Sequence, residues 1–484
     1  MHCDVVIIGA GISGLACAAA LSANGVSLTV FEARDTIGGR LATYHPADGG
    51  PTLELGAQVI HGDRNPLLDL AAHGLRIEPL RAHPVPRDTA ARVLIGGRIM
   101  PFGALARGGI PPWMVEQKLI ADRGGTCDGD LGVGLGLGGT MAGGLDGQGT
   151  SGGTGDSRGT VAGGLDGQVA SGGTGGSGGT VAGLMDGPGT SGGTGGSGGT
   201  VAEWMDAQGM TGVHRVAATE WFRQNWAAEP SALSADGVAA ARQGDQTGEG
   251  EYAFEGGYLA LARSLGAVIP PVRVGQPVDA VTWAPGRVEV AAGQARVRAR
   301  AVVITVPPAV ISRGRLVITP MPGGKAAAAS GLPAGDGLCA VVVLSRAAPE
   351  SAVVFDADGR AGFVRATAGR PEVLIVAKSR AAGVVRAAGA GGLPGAVTRV
   401  FPWAAEAEMT SFALADWGRD PWSGGAFSYP GAGARRAAGH WAAPVQRTLF
   451  FAGEATTAGV VPPSAHGALS SGLATARTVM EALT

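Results

Sequence analysis

Residues 5–8 are all apolar and are followed by turn glycines. An unbroken apolar run of this length predicts a strand buried on both faces. Small and apolar residues from Ile12 onward predict a helix, and residues 27–31, Ser-Leu-Thr-Val-Phe, a second strand. Residues 464–483 read as a helix that begins on small residues. Residues 111–123 and 204–229 carry apolar positions at three- and four-residue spacing, which predicts helices.

Between those helices the pattern disappears. Residues 143–162, 163–182 and 183–202 are three copies of one 20-residue unit rich in Gly, Ser and Thr, with a frayed copy from about Gly124. Each copy offers only a Leu or Met and a Val to bury, against the entropy of ordering its glycines. The expectation is a flexible insertion over 124–202 in a surface loop. A calcium-binding β-roll would need an acidic residue in nearly every turn, and the tract has too few.

Composition narrows the function classes. The 484 residues carry 37 basic and 39 acidic side chains, a near-balance that argues against nucleic-acid binding. Only three of the basic residues are lysines: Lys118, Lys325 and Lys378. Cys3, Cys17, Cys127 and Cys339 are far apart, so neither a disulfide framework nor a metal site is expected, and the cytoplasm is the expected location. No apolar run is long enough for a membrane span. The apolar N-terminus lacks a basic start and is interrupted by glycines, so it reads as folded protein.

The first strand, turn and helix carry chemistry. Gly9, Gly11 and Gly14 form GxGxxG. The first glycine permits the tight turn, the second admits a pyrophosphate, and the third allows close helix–strand packing. The helix N-terminus, with Ile12 and Ser13, points amides at the phosphates. Glu32 ends the second strand, where a carboxylate accepts from ribose hydroxyls. This predicts a dinucleotide but leaves NAD and FAD open.

The next block resolves that choice by resemblance. Residues 32–43, with Glu32-Ala33-Arg34 and Gly38-Gly39-Arg40-Leu41, resemble the "EAR…GGR…T" segment of the flavin-containing amine oxidase family. Residues 53–62, LELGAQVIHG, are similar to its flavin-lining segment, 255–269 to a helix entered through a glycine pair, 272–281 to a strand pair, 300–311 to a strand returning to the FAD domain, and 449–457 to its "FAGE" strand and turn. The resemblance covers 4–110 and about 203–484. It implies an α/β fold in which a Rossmann-like FAD domain interleaves with a substrate domain of mixed sheet and helices. The FAD domain would take 1–110, 251–312 and 411–484. The substrate domain would take helices from 111–123 and 203–250, and a sheet from 313–410.

It also implies the site. Gly9, Gly11, Ile12, Ser13, Gly14, Glu32, Ala33, Arg34, Gly39, Arg40 and Leu41 would hold FAD, with Gly56, Ala57, Gln58, Val59, Val278, Gly453, Glu454, His466 and Ala468. Ala426 stands where many members carry a flavin-linking cysteine, so non-covalent FAD is expected. Phe427 and Ser464 occupy the places of two aromatic rings that flank a substrate amine, so one ring is lost. The place of the lysine that holds a water near the flavin falls near Cys339. None of the three lysines fits it: Lys325 is expected to be exposed and Lys378 lies on another strand.

His61 is the candidate catalytic residue, as an amine-binding group or base. The implied reaction oxidises a C–N bond of an amine-like substrate, with molecular oxygen as acceptor, and a tailoring role in biosynthesis is favoured. An L-amino-acid oxidase, using Arg98 or Arg365 for the carboxylate, or another flavin oxidase or desaturase of the same superfamily, is the alternative. A non-catalytic FAD-binding protein is the third reading.

Overall fold

The computed structural model describes residues 2–79, 90–106, 109–125 and 198–484. The repeats up to residue 197, and Cys127, lie outside them. Four parallel strands form one sheet in the order Leu28–Phe31, Val5–Ile8, Ala301–Ile304, Leu449–Phe451. Val5 and Ile7 pack against the helices Ile12–Ala23 and Ala465–Leu483. Val6 and Ile8 pack against a second sheet. That two-sided burial is why the first strand has no polar position.

The second sheet has the order Ala295–Ala299, Arg287–Ala292, Ala280–Ala284, Val317–Thr319. The strand pair expected over 272–281 is not formed. Arg273 makes only an isolated bridge to Phe31, and the strand starts at Ala280. Pro277 and Gly275, which has φ +64°, interrupt the segment.

A seven-stranded mixed sheet runs Met409–Ala415, Gly337–Leu344, Glu372–Lys378, Phe363–Ala366, Ala352–Asp356, Ala90–Ile95, Arg98–Pro101. Strands 90–101 thus leave the block expected to belong to FAD, and Val317–Thr319 joins the sheet beside it. The interleaving is finer than boundaries at 110 and 313 allow. The segment Arg380–Val400, two helical stretches broken at Gly389 (φ +66°), covers one face of this sheet. On the other face Phe102, Trp221, Phe355 and Phe363 stack together.

The expected insertion also ends earlier than residue 202. Thr200 caps the helix Val201–Ala207 by a reciprocal pair: its hydroxyl accepts from Glu203 N, and Thr200 N donates to Glu203 Oε2. Val201 is fully buried and its N–H donates to Leu233 O at 2.9 Å. The end of the last repeat is therefore part of the core. Among the described residues, no helix is long and apolar enough to cross a membrane.

Candidate active site

One long cavity runs from the parallel sheet to the seven-stranded sheet. Its outer end is a dinucleotide cradle. Gly9 takes φ +104°, and a Cβ on Gly14 would meet Gly9 O at 2.0 Å. That contact brings helix Ile12–Ala23 against the turn. Gly14 lies behind the wall, whereas Gly9, Gly11, Ile12 and Ser13 line it. The Ser13 hydroxyl is buried with no hydrogen-bond partner, at a helix N-terminus whose first amides lack intrahelical acceptors. An orphaned hydroxyl beside free amides is what a pyrophosphate would satisfy.

Glu32 is 4% exposed. Its carboxylate accepts from Ala10 N at 2.8 Å and Arg34 N at 2.9 Å, which leaves remaining lone pairs for a ribose. Arg34 is tied to Asp420 at 2.7 Å. Arg40 donates to Ala426 O at 3.0 Å and pairs with Glu454 at 3.2 Å. Glu454 also accepts from Ser428 Oγ. Ala33, Gly39, Leu41, Val278, Gly453 and Ala468 line the same wall. The residues present fit FAD.

The segment Gly56–Val59 forms the floor of the inner half. A Cβ on Gly56 would meet Arg40 O at 2.1 Å, so only glycine lets these two segments cross. Gln58 Nε2 donates to Glu54 O and Gly56 O, both at 2.9 Å, and holds the turn. Trp417 Nε1 donates to Leu55 O at 2.7 Å from the side.

His61, Cys339, Phe427, Ser464 and His466 all line the inner half of the cavity. His61 Nδ1 lies 3.7 Å from Glu251 Oε1, and its ring is 42% exposed, to the cavity it lines. Burial among Arg242, His466 and Lys378 pulls its pKa down to about 4, against the opposing pull of Asp245. It is neutral near pH 7. His466 Nε2 lies 3.2 Å from Ser464 Oγ and its Nδ1 3.2 Å from Asn65 Nδ2. Burial also lowers the pKa of His466 and raises that of Cys339 to about 12, so Cys339 is a neutral thiol.

Lys378 lies on another strand than Cys339, as expected, but it lines the cavity. It ends strand Glu372–Lys378 opposite Gly337, and Val376 pairs with Cys339, so all three side chains share one face. Gly337 has no side chain to block the lysine, whose Nζ donates to Gln224 O at 2.6 Å. Lys325 is buried, not exposed: Nζ donates to His440 O and Trp441 O at 2.7 Å and to Ala443 O at 2.5 Å. It closes the carboxyl end of helix Ala434–Ala442.

Neither arginine proposed for a carboxylate reaches the cavity. Arg98 is exposed on a sheet edge, and Arg365 is enclosed near the carboxylates of Glu251 and Glu54. Sequence reasoning missed Arg242, Asp245, Asn225, Trp226 and Thr247, which line the inner end from the helical part. No motif marks them, because helix packing rather than local sequence carries them there.

The family model for flavin containing amine oxidoreductase matches residues 12–113, 206–382 and 394–480. The flavin-containing amine oxidase B of Cavia porcellus is 37% identical over 110 residues, 23% of this chain and 19% of that protein. A putrescine oxidase of Kocuria rosea is 46% identical over 67 residues, 14% of each chain. These matched segments span less than a fifth of either relative. The cyclohexylamine oxidase of Brevibacterium oxydans IH-35A shares the fold over 99% of both chains, with TM-score 0.71 and 19% identity. A putrescine oxidase structure does so with TM-score 0.69 and 19% identity. The chain belongs to the flavin-containing amine oxidoreductase family, whose members are FAD-dependent oxidoreductases.

Proposed function

We propose that this protein oxidises the C–N bond of an amine-like substrate and passes the electrons to oxygen. The observation that carries the reading is the continuity of the FAD cradle with an inner chamber holding a neutral His61, Lys378 and Phe427. Bound FAD supplies a two-electron acceptor for hydride from the carbon beside nitrogen. The imine left behind is hydrolysed, and oxygen takes the two electrons to give hydrogen peroxide. The side chains position and exclude water. Phe427 offers one apolar face, and the neutral His61 can accept a hydrogen bond from the substrate ammonium.

Ser464 where a second ring is expected leaves only a small hydroxyl on that wall, which supports a tailoring role over general amine catabolism. Ala426 offers no thiol, which supports non-covalent FAD. Cys3, Cys17 and Cys339 are buried free thiols, in keeping with the cytoplasm. The test is anaerobic bleaching of the purified yellow protein by an amine panel, with peroxide measured on readmission of air. Flavin that stays with the acid pellet would refute non-covalent binding. Flavin that no amine bleaches would refute amine oxidation.

A further inference from the structure

We infer that Arg242 and Lys378 form an anion-binding subsite in the inner chamber, so that the oxidised amine also carries a carboxylate. The substrate half of this statement rests on the amine-oxidation reading; the subsite itself does not.

Arg242 lies on helix Ala235–Gln243 with its side chain 14% exposed. Its Nε donates to Glu116 Oε2 at 2.7 Å, and its guanidinium lies 5.0 Å over the Trp226 ring. Glu116 is fully buried, and its other oxygen accepts from Asn225 Nδ2 at 3.0 Å and Trp226 Nε1 at 3.1 Å. Three helices thus lock the guanidinium by one edge. Among the described residues, its two terminal nitrogens have no hydrogen-bond partner, yet Arg242 lines the cavity. That free edge is the fork that binds a carboxylate in bidentate fashion.

Lys378 adds a second cation. Among the described residues, one hydrogen bond to protein holds its ammonium, and Arg242 and Lys378 both act electrostatically on His61, so all three share the chamber. The other cations of the wall are committed: Arg34 to Asp420, and Arg40 to Glu454. The chamber's carboxylate, Asp245, accepts at Oδ1 from Thr247 N at 3.1 Å and Thr247 Oγ1 at 2.7 Å. It has no ion pair with either cation among the described residues, and its effect falls on His61 and His466. A zwitterion meets both signs here. A diamine would press a second ammonium against Arg242 and Lys378, a like-charge contact that selects against it.

The experiment uses the FAD-loaded full chain with two readouts. Amino acids, both L-α and ω, are compared with their decarboxylated amines in anaerobic bleaching. Benzoate is titrated against the flavin spectrum, a binding readout that needs no turnover. The carboxylated member of the preferred pair should bleach flavin at least tenfold more efficiently. Lys378→Met should weaken benzoate at least tenfold and collapse that preference; Arg242→Met should do the same. Because Arg242→Met strands buried Glu116 and could unfold the chain, Lys378→Met keeps the test decisive. Decarboxylated amines or diamines bleaching as well as the amino acids would overturn the substrate assignment. Benzoate binding unchanged in Lys378→Met, or absent in the wild type, would overturn the subsite. Benzoate binding through Lys378 with no amine bleaching would uphold the subsite and refute amine oxidation.

Discussion

Lys378 Nζ lies 5.3 Å from the centroid of the Phe427 ring, where strand Glu372–Lys378 meets the C-terminal part of the chain. Burial lowers its pKa from 10.5 to about 8, with Arg242 pulling the same way. A lysine whose folded pKa is depressed binds fewer protons folded than unfolded between those values. Stability then rises with pH from about 8 to 10.5, and below that window the buried charge is a cost. Lys378→Met should raise the melting temperature at pH 7, flatten that slope, and slow flavin reduction. Melting curves from pH 7 to 10 in excess FAD check it; a lower melting temperature at pH 7 would contradict it.

Lys325 shares the depressed pKa of about 8, and with it the rise of stability from about pH 8 to 10.5, but its removal acts differently. Its ammonium satisfies three carbonyls at a helix end and lies 4.0 Å from the Phe451 ring centroid. Lys325→Met leaves those acceptors buried and unpaired. The expected loss is on the order of 2–4 kcal/mol, read by urea unfolding at pH 7. No loss would mean that water replaces the ammonium.

The two lysines show where sequence reading stopped. The strand–turn–helix at Val5–Ala23, Glu32 and the FAGE turn were legible because local spacing alone dictates their chemistry. The cavity-facing place of Lys378 was not, because only its register opposite Gly337, across a strand pair, brings it there. Arg242 was invisible for a similar reason. Its role comes from Glu116, which is on a helix more than a hundred residues earlier in the chain.

His61, with its pKa near 4, should not titrate in the neutral range. It gains charge only as pH falls through about 4, so the rate of flavin reduction should carry no inflection from it between pH 5 and 7. His61→Ala, which removes that hydrogen-bond acceptor, should slow reduction about tenfold and leave the profile's shape intact over that range. An inflection near 6.5 in the wild type that vanishes in the variant would show instead a ring that titrates normally.

At the cofactor end, Ser13 and Gly14 should separate binding from folding. Ser13→Ala removes the orphaned hydroxyl without touching a neighbour. It should weaken FAD about tenfold, the effect of one hydrogen bond to a charged group, with little change in the apoprotein. Gly14→Ala drives a methyl into Gly9 O and should abolish FAD retention by moving the turn itself. Flavin content and apoprotein melting temperature distinguish the two. Equal behaviour of the variants would remove the assignment of Ser13 to the phosphates.

The repeat makes its own register test. Thr140, Thr160, Thr180 and Thr200 recur at the 20-residue period, and Thr200 is the helix cap. Deleting residues 143–202 joins Ala142 to Glu203, so Thr140 takes the capping place and Met141 that of buried Val201. The Thr-x-x-Glu box survives, and stability should change little. Deleting 150–202 instead places Gly149 before Glu203 and loses both cap and buried side chain. That variant should lose about 1 kcal/mol for the cap and roughly 1.5–3 kcal/mol for Val201. Thermal melts of the two deletions decide it. Equal melting temperatures would mean that the helix Val201–Ala207 needs neither group, whereas a gap would show that each period ends on a usable helix start.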